Sequence, residues 1–370
     1  MTADADGLVL VFGTRPEIIK MAPVIHACER RGIPFQVIHT GQHYSETLDE
    51  VFFRQLELQP PDRHLGIGSD RHGKQTGAML DAIEQELLDL AGDTVLVQGD
   101  TNTTVAGALA AAKLDVALGH IEAGLRSFDR AMPEEINRIV ADHIADYLFA
   151  PTDRAAAILD DEGVPSRRTW VTGNTIVDAI DHNVRVAERE SSILDRLDIV
   201  PNNFLLVTAH RPANVDDPST FADLLDGIDR VSRELSIPAI YPIHPRAEQT
   251  IEDVSIEVPS SIQRIDPVGY FDCLALQQQA RLILTDSGGI QEEACVLGVP
   301  CVTLRESTER PETVTVGANR LVGTDPAAIL EGARRMVDRG TDWSNPFGDG
   351  DAAEQILDAI AGRPLTEVAG

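Results

Sequence analysis

Short apolar runs alternate along this chain with longer amphipathic stretches. The run LVLVF at 8–12 ends in Gly13, and PEIIKMAPVIHACERR then keeps a helical spacing of apolar residues up to Gly32. FQVIHT (35–40), TVLVQGD (94–100), VALGHIEAG (116–124), YLFAP (147–151) and TWVTGN (169–174) read as further strands, with an Ala-rich helix over TTVAGALAAAKL (103–114). Strands this apolar, alternating with helices, predict a parallel sheet covered on both faces. After PNN (201–203) the pattern restarts. FLLVTAH, AIYPIH, SIQRID, LILTDSGG and VPCVTL supply five more strands with helical segments between them.

The expected architecture is therefore α/β, with two doubly wound, Rossmann-like domains in series. The polar stretch near 185–203 places the boundary, giving a first domain over 1–184 and a second over 185–351. The last helical stretch, AAEQILDAIAG, follows the Pro/Gly/Asp-rich NPFGDGD (345–351) and can pack on either domain. In open α/β sheets ligands bind beyond the carboxyl ends of the strands, so residues just after each strand are the ones to inspect.

Composition narrows the partners. Against 31 Lys and Arg stand 60 Asp and Glu, a formal charge of −29 over 370 residues. Such a surface repels phosphate backbones, which argues against nucleic-acid binding. Only Lys20, Lys74 and Lys113 are lysines, and this acid-rich, Lys-poor balance fits a high-salt cytoplasm, where screening tempers the repulsion. No apolar run approaches the ~18–20 residues that span a bilayer. The N-terminus carries acids where a signal peptide carries basic residues, so a soluble cytoplasmic protein with no membrane partner is expected. Cys28, Cys273, Cys295 and Cys301 lack CxxC spacing and have apolar neighbours, which predicts reduced, mostly buried thiols.

Five constellations carry candidate chemistry. Gly13-Thr14-Arg15-Pro16-Glu17-Ile18-Ile19-Lys20 sets two cations near a helix N-terminus, where an anion is favoured; it is neither GxGxxG nor GxxxxGK[ST]. Gln98-Gly99-Asp100-Thr101 places a carboxylate at a strand end, as a catalytic acid or as a helix N-cap. GHIEAGLRSFDRAMPEEINR (119–138) brings Glu122, Glu134 and Glu135 near Arg126 and Arg138, and paired acids can divide acid and base work. His210-Arg211 and His244 with Arg246 end two strands of the second half, fitting phosphate or sugar contacts, with no HExxH or Cys/His zinc spacing. Asp286-Ser287-Gly288-Gly289 precedes a helix carrying Glu293, which suits a diphosphate over exposed N–H groups and a ribose diol on the acid; Arg310 follows the next strand.

Taken together, FGTRPEIIKMAPVI, VQGDTNTT, GHIEAGLRS, PEEINR, VTGNTIVDA, TAHR, TDSGGIQEEA and TERPET resemble the non-hydrolysing UDP-N-acetylglucosamine 2-epimerases, in order and over essentially the whole chain. The resemblance implies the GT-B architecture, with a nucleotide sugar in an interdomain cleft and the C-terminal helix, 352–370, returning to the first domain. It implies interconversion of UDP-GlcNAc and UDP-N-acetylmannosamine with no NAD or metal cofactor, and a homodimer. It also implies roles: Asp100, Glu122, Glu134 and His210 as catalytic residues, Arg15 and Lys20 as diphosphate and substrate contacts, Ser287, Gly288 and Gly289 as diphosphate ligands, Glu293 as the ribose acid and Arg310 as a substrate arginine. Two segments depart from bacterial members. HRPAN (210–214) stands where HRxEN is usual, and QHYSETLD (42–49) is closer to archaeal members and to epimerases of related UDP-sugars such as diacetamido uronic acids.

The C2 proton of a GlcNAc ring is not α to a carbonyl. Without transient oxidation, the route to inversion is to expel UDP from C1 and so labilise C2–H, giving 2-acetamidoglucal. Other occupants of this scaffold are a glycosyltransferase, which needs an acceptor site, a hydrolysing epimerase, which releases free sugar and UDP, and a UDP-sugar sensor, which binds without turnover.

Overall fold

The computed structural model describes residues 7–41, 52–90, 92–114 and 116–362. The segment QHYSETLD lies outside them. The described chain divides into two compact units, one formed by the residues up to Ala179 with those from Phe347 on, the other by Ile180–Pro346. The chain passes from the first to the second within the helix Thr175–Glu190. No described helix is long and apolar enough to cross a membrane.

The first unit holds a seven-stranded parallel sheet: β1 (Leu8–Phe12), β2 (Phe35–His39), β3 (Arg63–His64), β4 (Thr94–Gln98), β5 (Ala117–Ile121), β6 (Tyr147–Ala150) and β7 (Thr169–Val171), in the order β3-β2-β1-β4-β5-β6-β7. β1 is buried at every position, as a central strand covered on both faces must be. Val9, Val11, Ile38, Val95 and Val97 pack on Met79, Ile83 and the alanines of the helix Asn102–Lys113. The helix Ala352–Ile360 packs on the helix Arg15–Arg31, where Arg30 and Arg31 reach Glu354 and Arg31 also reaches Asp358 at 2.7 Å. Asp178 accepts the Ala353 N–H at 3.0 Å.

The second unit holds a six-stranded parallel sheet: β8 (Leu205–Thr208), β9 (Ala239–Pro242), β10 (Ile262–Ile265), β11 (Leu282–Thr285), β12 (Cys301–Thr303) and β13 (Asn319–Leu321), in the order β10-β9-β8-β11-β12-β13. Its core joins Leu205, Val207, Tyr241, Leu282 and Leu284 to Phe221, Leu224 and Ile228 of the helix Pro218–Leu235. Two edge strands, β3 and β13, add to the six and five that the apolar runs predict; both are two or three residues long and neither is an apolar run.

Strand order reverses at β1/β4 in the first sheet and at β8/β11 in the second. These switch points are where doubly wound sheets open a crevice. The turns and helices that follow β1 and β4 hold Arg15, Lys20 and Asp100, and those that follow β8 and β11 hold His210 and Ser287 to Gly289.

Candidate active site

In the first unit the turn after β1 leaves no room for a side chain at Gly13. A Cβ on Gly13 would lie 1.9 Å from Thr40 Oγ1. Glu17 folds back on this turn, accepting from Thr14 N at 2.7 Å, Gly13 N at 3.0 Å and Thr101 Oγ1 at 2.7 Å. Burial pushes its carboxyl above the usual range, opposed by the bonds from Thr101 and Thr14. The Gly13 and Thr14 N–H groups are thus taken by the helix's own acid, which changes the reading of this loop as an anion cradle.

Lys20 is buried and faces Glu122, its Nζ 2.9 Å from both carboxylate oxygens, while Gln98 Nε2 donates to the same carboxylate. Glu122 follows β5 with φ of 72°, a left-handed conformation that is costly for a residue with a Cβ. Arg15 is half-buried, its guanidinium 5.9 Å from the Phe52 ring centroid.

Asp100 is not the cap of the helix after β4. Thr101 is, its hydroxyl accepting from Thr104 N at 3.2 Å. That leaves the Asp100 carboxylate, 30% exposed, to receive Arg138 Nη1. The other arm of Arg138 donates to Glu135 at 2.7 Å, and Glu135 also accepts from Ser127 N and Oγ and from Phe128 N. Burial opposes the Glu135 charge, but Arg138 and these donors hold its carboxyl below the usual range. Glu135 is therefore the anchor of the 125–132 loop, and Glu134, its neighbour in the helix Pro133–Ile144, is exposed. Arg126 takes a different pair, Asp142 and Glu162.

In the second unit Asp286 organises the switch point. It accepts from His210 N, from Arg211 N at 2.9 Å and from Asn214 Nδ2 at 3.0 Å, and its carboxylate lies 3.1 Å from His210 Nδ1. Although burial works against its charge, the His210 ring and these N–H groups hold it below the usual carboxylate range. The His210 and His244 rings stand 5.6 Å apart. His244 caps the helix Pro245–Val254, its Nδ1 accepting from Arg246 N, and burial with the nearby His210 and Arg246 charges lowers its pKa.

The helix Gly288–Leu297 starts directly off β11, with Ser287 as its N-cap residue, and its first-turn N–H groups have no partner within the helix. A Cβ on Gly288 would meet Glu309 Oε1 at 2.7 Å. Glu309 is ringed by Arg305, Arg211 and Arg310, which overcome burial and hold its carboxyl far below the usual range. Arg310 also donates to Glu292 at 2.9 Å, and Glu293, buried, accepts from Gln277 at 2.6 Å. Sequence reasoning missed Asp286, Glu309 and Gln98 as organisers. Strand-end position was the signal available for Asp286 and Gln98.

A family model described as UDP-N-acetylglucosamine 2-epimerase matches residues 26–361. The chain belongs to that family. It is 48% identical over 360 residues to the UDP-N-acetylglucosamine 2-epimerase of Methanococcus maripaludis, with 96% of this chain and 98% of that one covered. The crystal structure of the Methanocaldococcus jannaschii UDP-GlcNAc 2-epimerase in complex with UDP-GlcNAc and UDP superposes with a TM-score of 0.88 at 46% identity, over 96% of this chain and 99% of the other. The UDP-2,3-diacetamido-2,3-dideoxy-D-glucuronate 2-epimerase of Pseudomonas aeruginosa is 40% identical over 358 residues, covering 96% and 99%. The solved structures in the family give the GT-B class its direct support: two Rossmann-like units, each an open parallel sheet.

Proposed function

We propose that this epimerase interconverts UDP-N-acetylglucosamine and UDP-N-acetylmannosamine. The observation that carries the reading is the near-full-length match to an archaeal enzyme solved with UDP-GlcNAc and UDP. The chemistry follows from the substrate. The C1–O bond breaks and its electron pair leaves with UDP. The C2 proton passes to a base, giving 2-acetamidoglucal. A second acid then protonates C2 on the opposite face while UDP oxygen re-adds to C1. Asp100 and Glu134 are assigned the C2 protons, and Glu122 supports the cationic ring. An acid that exchanges protons with an incoming sugar must be reachable from solvent, as Asp100 and Glu134 are.

Departure of a diphosphate needs positive potential where its charge develops. In the second unit His210, His244 and Arg310 are assigned to that end of the substrate together with the Ser287-Gly288-Gly289 helix start, and Glu293 to the ribose; in the first unit Arg15 and Lys20 are assigned as diphosphate and substrate contacts. The test is turnover in D2O with UDP-GlcNAc, without added NAD or metal, followed by proton NMR. Product carrying deuterium at C2 is expected, and product retaining the original hydrogen would eliminate the elimination route.

The 40% relative that acts on a diacetamido uronic acid favours a second reading, the same chemistry on that UDP-sugar. Parallel assays with both substrates separate them. We further infer a cytoplasmic homodimer serving polysaccharide biosynthesis in a high-salt cell. The family resemblance supports the dimer, and the −29 charge supports the salt requirement, since screening is what relieves such self-repulsion.

A further inference from the structure

Beneath the candidate carboxylates of the first unit lies a buried ionic cluster that the reaction as written does not use. His120, on β5, is fully enclosed. Its Nδ1 lies 2.7 Å from Asp142 Oδ1 and its Nε2 lies 2.8 Å from the Gly99 carbonyl oxygen. Asp142, also fully enclosed, uses its other oxygen to accept from Gly124 N at 3.2 Å and from Arg126. Arg126 closes the cluster with a two-pronged contact to Glu162 at 2.7 and 2.8 Å.

A carbonyl oxygen can only accept. Burial opposes the Asp142 charge, but the His120 and Arg126 charges and hydrogen bonds hold its carboxyl below the usual range, and an ionised carboxylate can only accept as well. Both ring nitrogens of His120 must then carry hydrogen, so the ring is an imidazolium. Burial disfavours the charged ring, yet the Asp142 charge and hydrogen bond raise its pKa against that and against the repulsion of Arg126.

The imidazolium joins two turns. One is Gly99-Asp100, whose glycine holds φ of 75° and whose N–H donates to Ile121 O. The other is Glu122-Ala123-Gly124, in which Glu122 and Gly124 both have positive φ, and a Cβ on Gly124 would strike Ala155 O at 2.3 Å. We propose that His120 is a positioning residue of the epimerase reaction: its two N–H groups fasten the peptide that bears Asp100 to the Asp142 hub that fixes the Glu122 turn. The proposal rests on the epimerase reading, in which those two acids act on the sugar.

The state of the ring is read first, by 15N NMR of 15N-histidine-labelled protein, with the signal assigned by its loss in His120→Asn. Both nitrogens should show protonated shifts at pH 7, and one deprotonated nitrogen there would overturn the proposal. In His120→Asn, which has one donor group for two acceptors, kcat should fall by about 100-fold, the cost of a misplacement near 1 Å, while KM and the affinity for UDP stay within about 3-fold. A fall in UDP affinity matching the fall in kcat would mean general structural damage and refute the positioning role. Asp142→Asn supplies a second route if the first variant folds poorly. With its counter-charge gone, His120 should titrate within the assay range, so kcat should acquire a descending limb above neutral pH that the parent lacks. An unchanged profile would refute the role. The parent is assayed first: absence of C2 exchange there would sink the epimerase reading and this role with it, whereas exchange in the parent and an unaltered His120→Asn would sink this role alone.

Discussion

Lys20 Nζ stands equidistant, at 2.9 Å, from the two oxygens of Glu122, and both side chains are less than one-tenth exposed. Removing one partner of such a pair leaves a buried charge uncompensated, a cost of about 3–5 kcal/mol. Lys20→Met and Glu122→Gln should each lower unfolding free energy by that order, and the double variant should lose less than the sum. Urea unfolding at high salt checks the cycle, and additive losses would show that the pair is not coupled. All three variants should lose C2 exchange.

Arg138 bridges Asp100 and Glu135 with separate arms of one guanidinium. Arg138→Ala should release Asp100 and loosen the loop that Glu135 holds through Ser127 and Phe128, lowering kcat by about 10²-fold or more. Arg138→Lys should not restore it, because one ammonium cannot span both acids in the planar fork. Steady-state kinetics in both variants decides the point; full activity in the lysine variant would show that charge alone suffices.

Asp286 faces donors only: two backbone N–H groups, Asn214 and the His210 ring. Asp286→Asn turns one acceptor oxygen into a donor against them. UDP binding, measured by calorimetry, should weaken by about 10-fold or more as His210 and Arg211 lose their fixed placement, since hydrogen bonds to charged groups are worth about 1.5–3 kcal/mol. Unchanged binding would remove Asp286 from the nucleotide site.

Asp178 predicts a pH effect on stability. Burial pushes its carboxyl up from 3.8 to about 6, against the bond from Ala353 N. A raised carboxyl favours folding when protonated, so its contribution is complete below pH 3.8 and fades as pH climbs through 6. At about 1.4 kcal/mol per unit the loss is roughly 3 kcal/mol. Asp178→Asn lacks this titration, and its stability relative to the parent should rise by that amount between pH 4 and 7. Parallel unfolding curves across that window would contradict it.

The sheets were legible because central parallel strands are apolar throughout, and LVLVF or LILT can be little else. The strand-end acids were legible for the same reason, since Asp100 and Glu122 follow such runs directly. The helix Pro133–Ile144 was harder. Its inward stripe is Glu135, Arg138, Ala141 and Asp142, so apolar periodicity points nowhere near it. Adjacent residues on a helix face about 100° apart, and nothing in the letters EE says which glutamate turns inward. The arginine partnerships were equally hidden: Arg126 and Arg138 are near both acids in sequence, but their pairings are set by the fold.

The first unit draws on chain from both sides of the second, because the helix Ala352–Ile360 clamps the helix Arg15–Arg31 through Glu354 and Asp358. During synthesis the ribosome makes Arg15 more than three hundred residues before that clamp. The second unit, contiguous in the chain, can mature first, while the earlier-made unit must wait with one face of the helix Arg15–Arg31 uncovered until the helix Ala352–Ile360 emerges. Holdase chaperones and premature stop codons should therefore act most strongly on the half that is translated first.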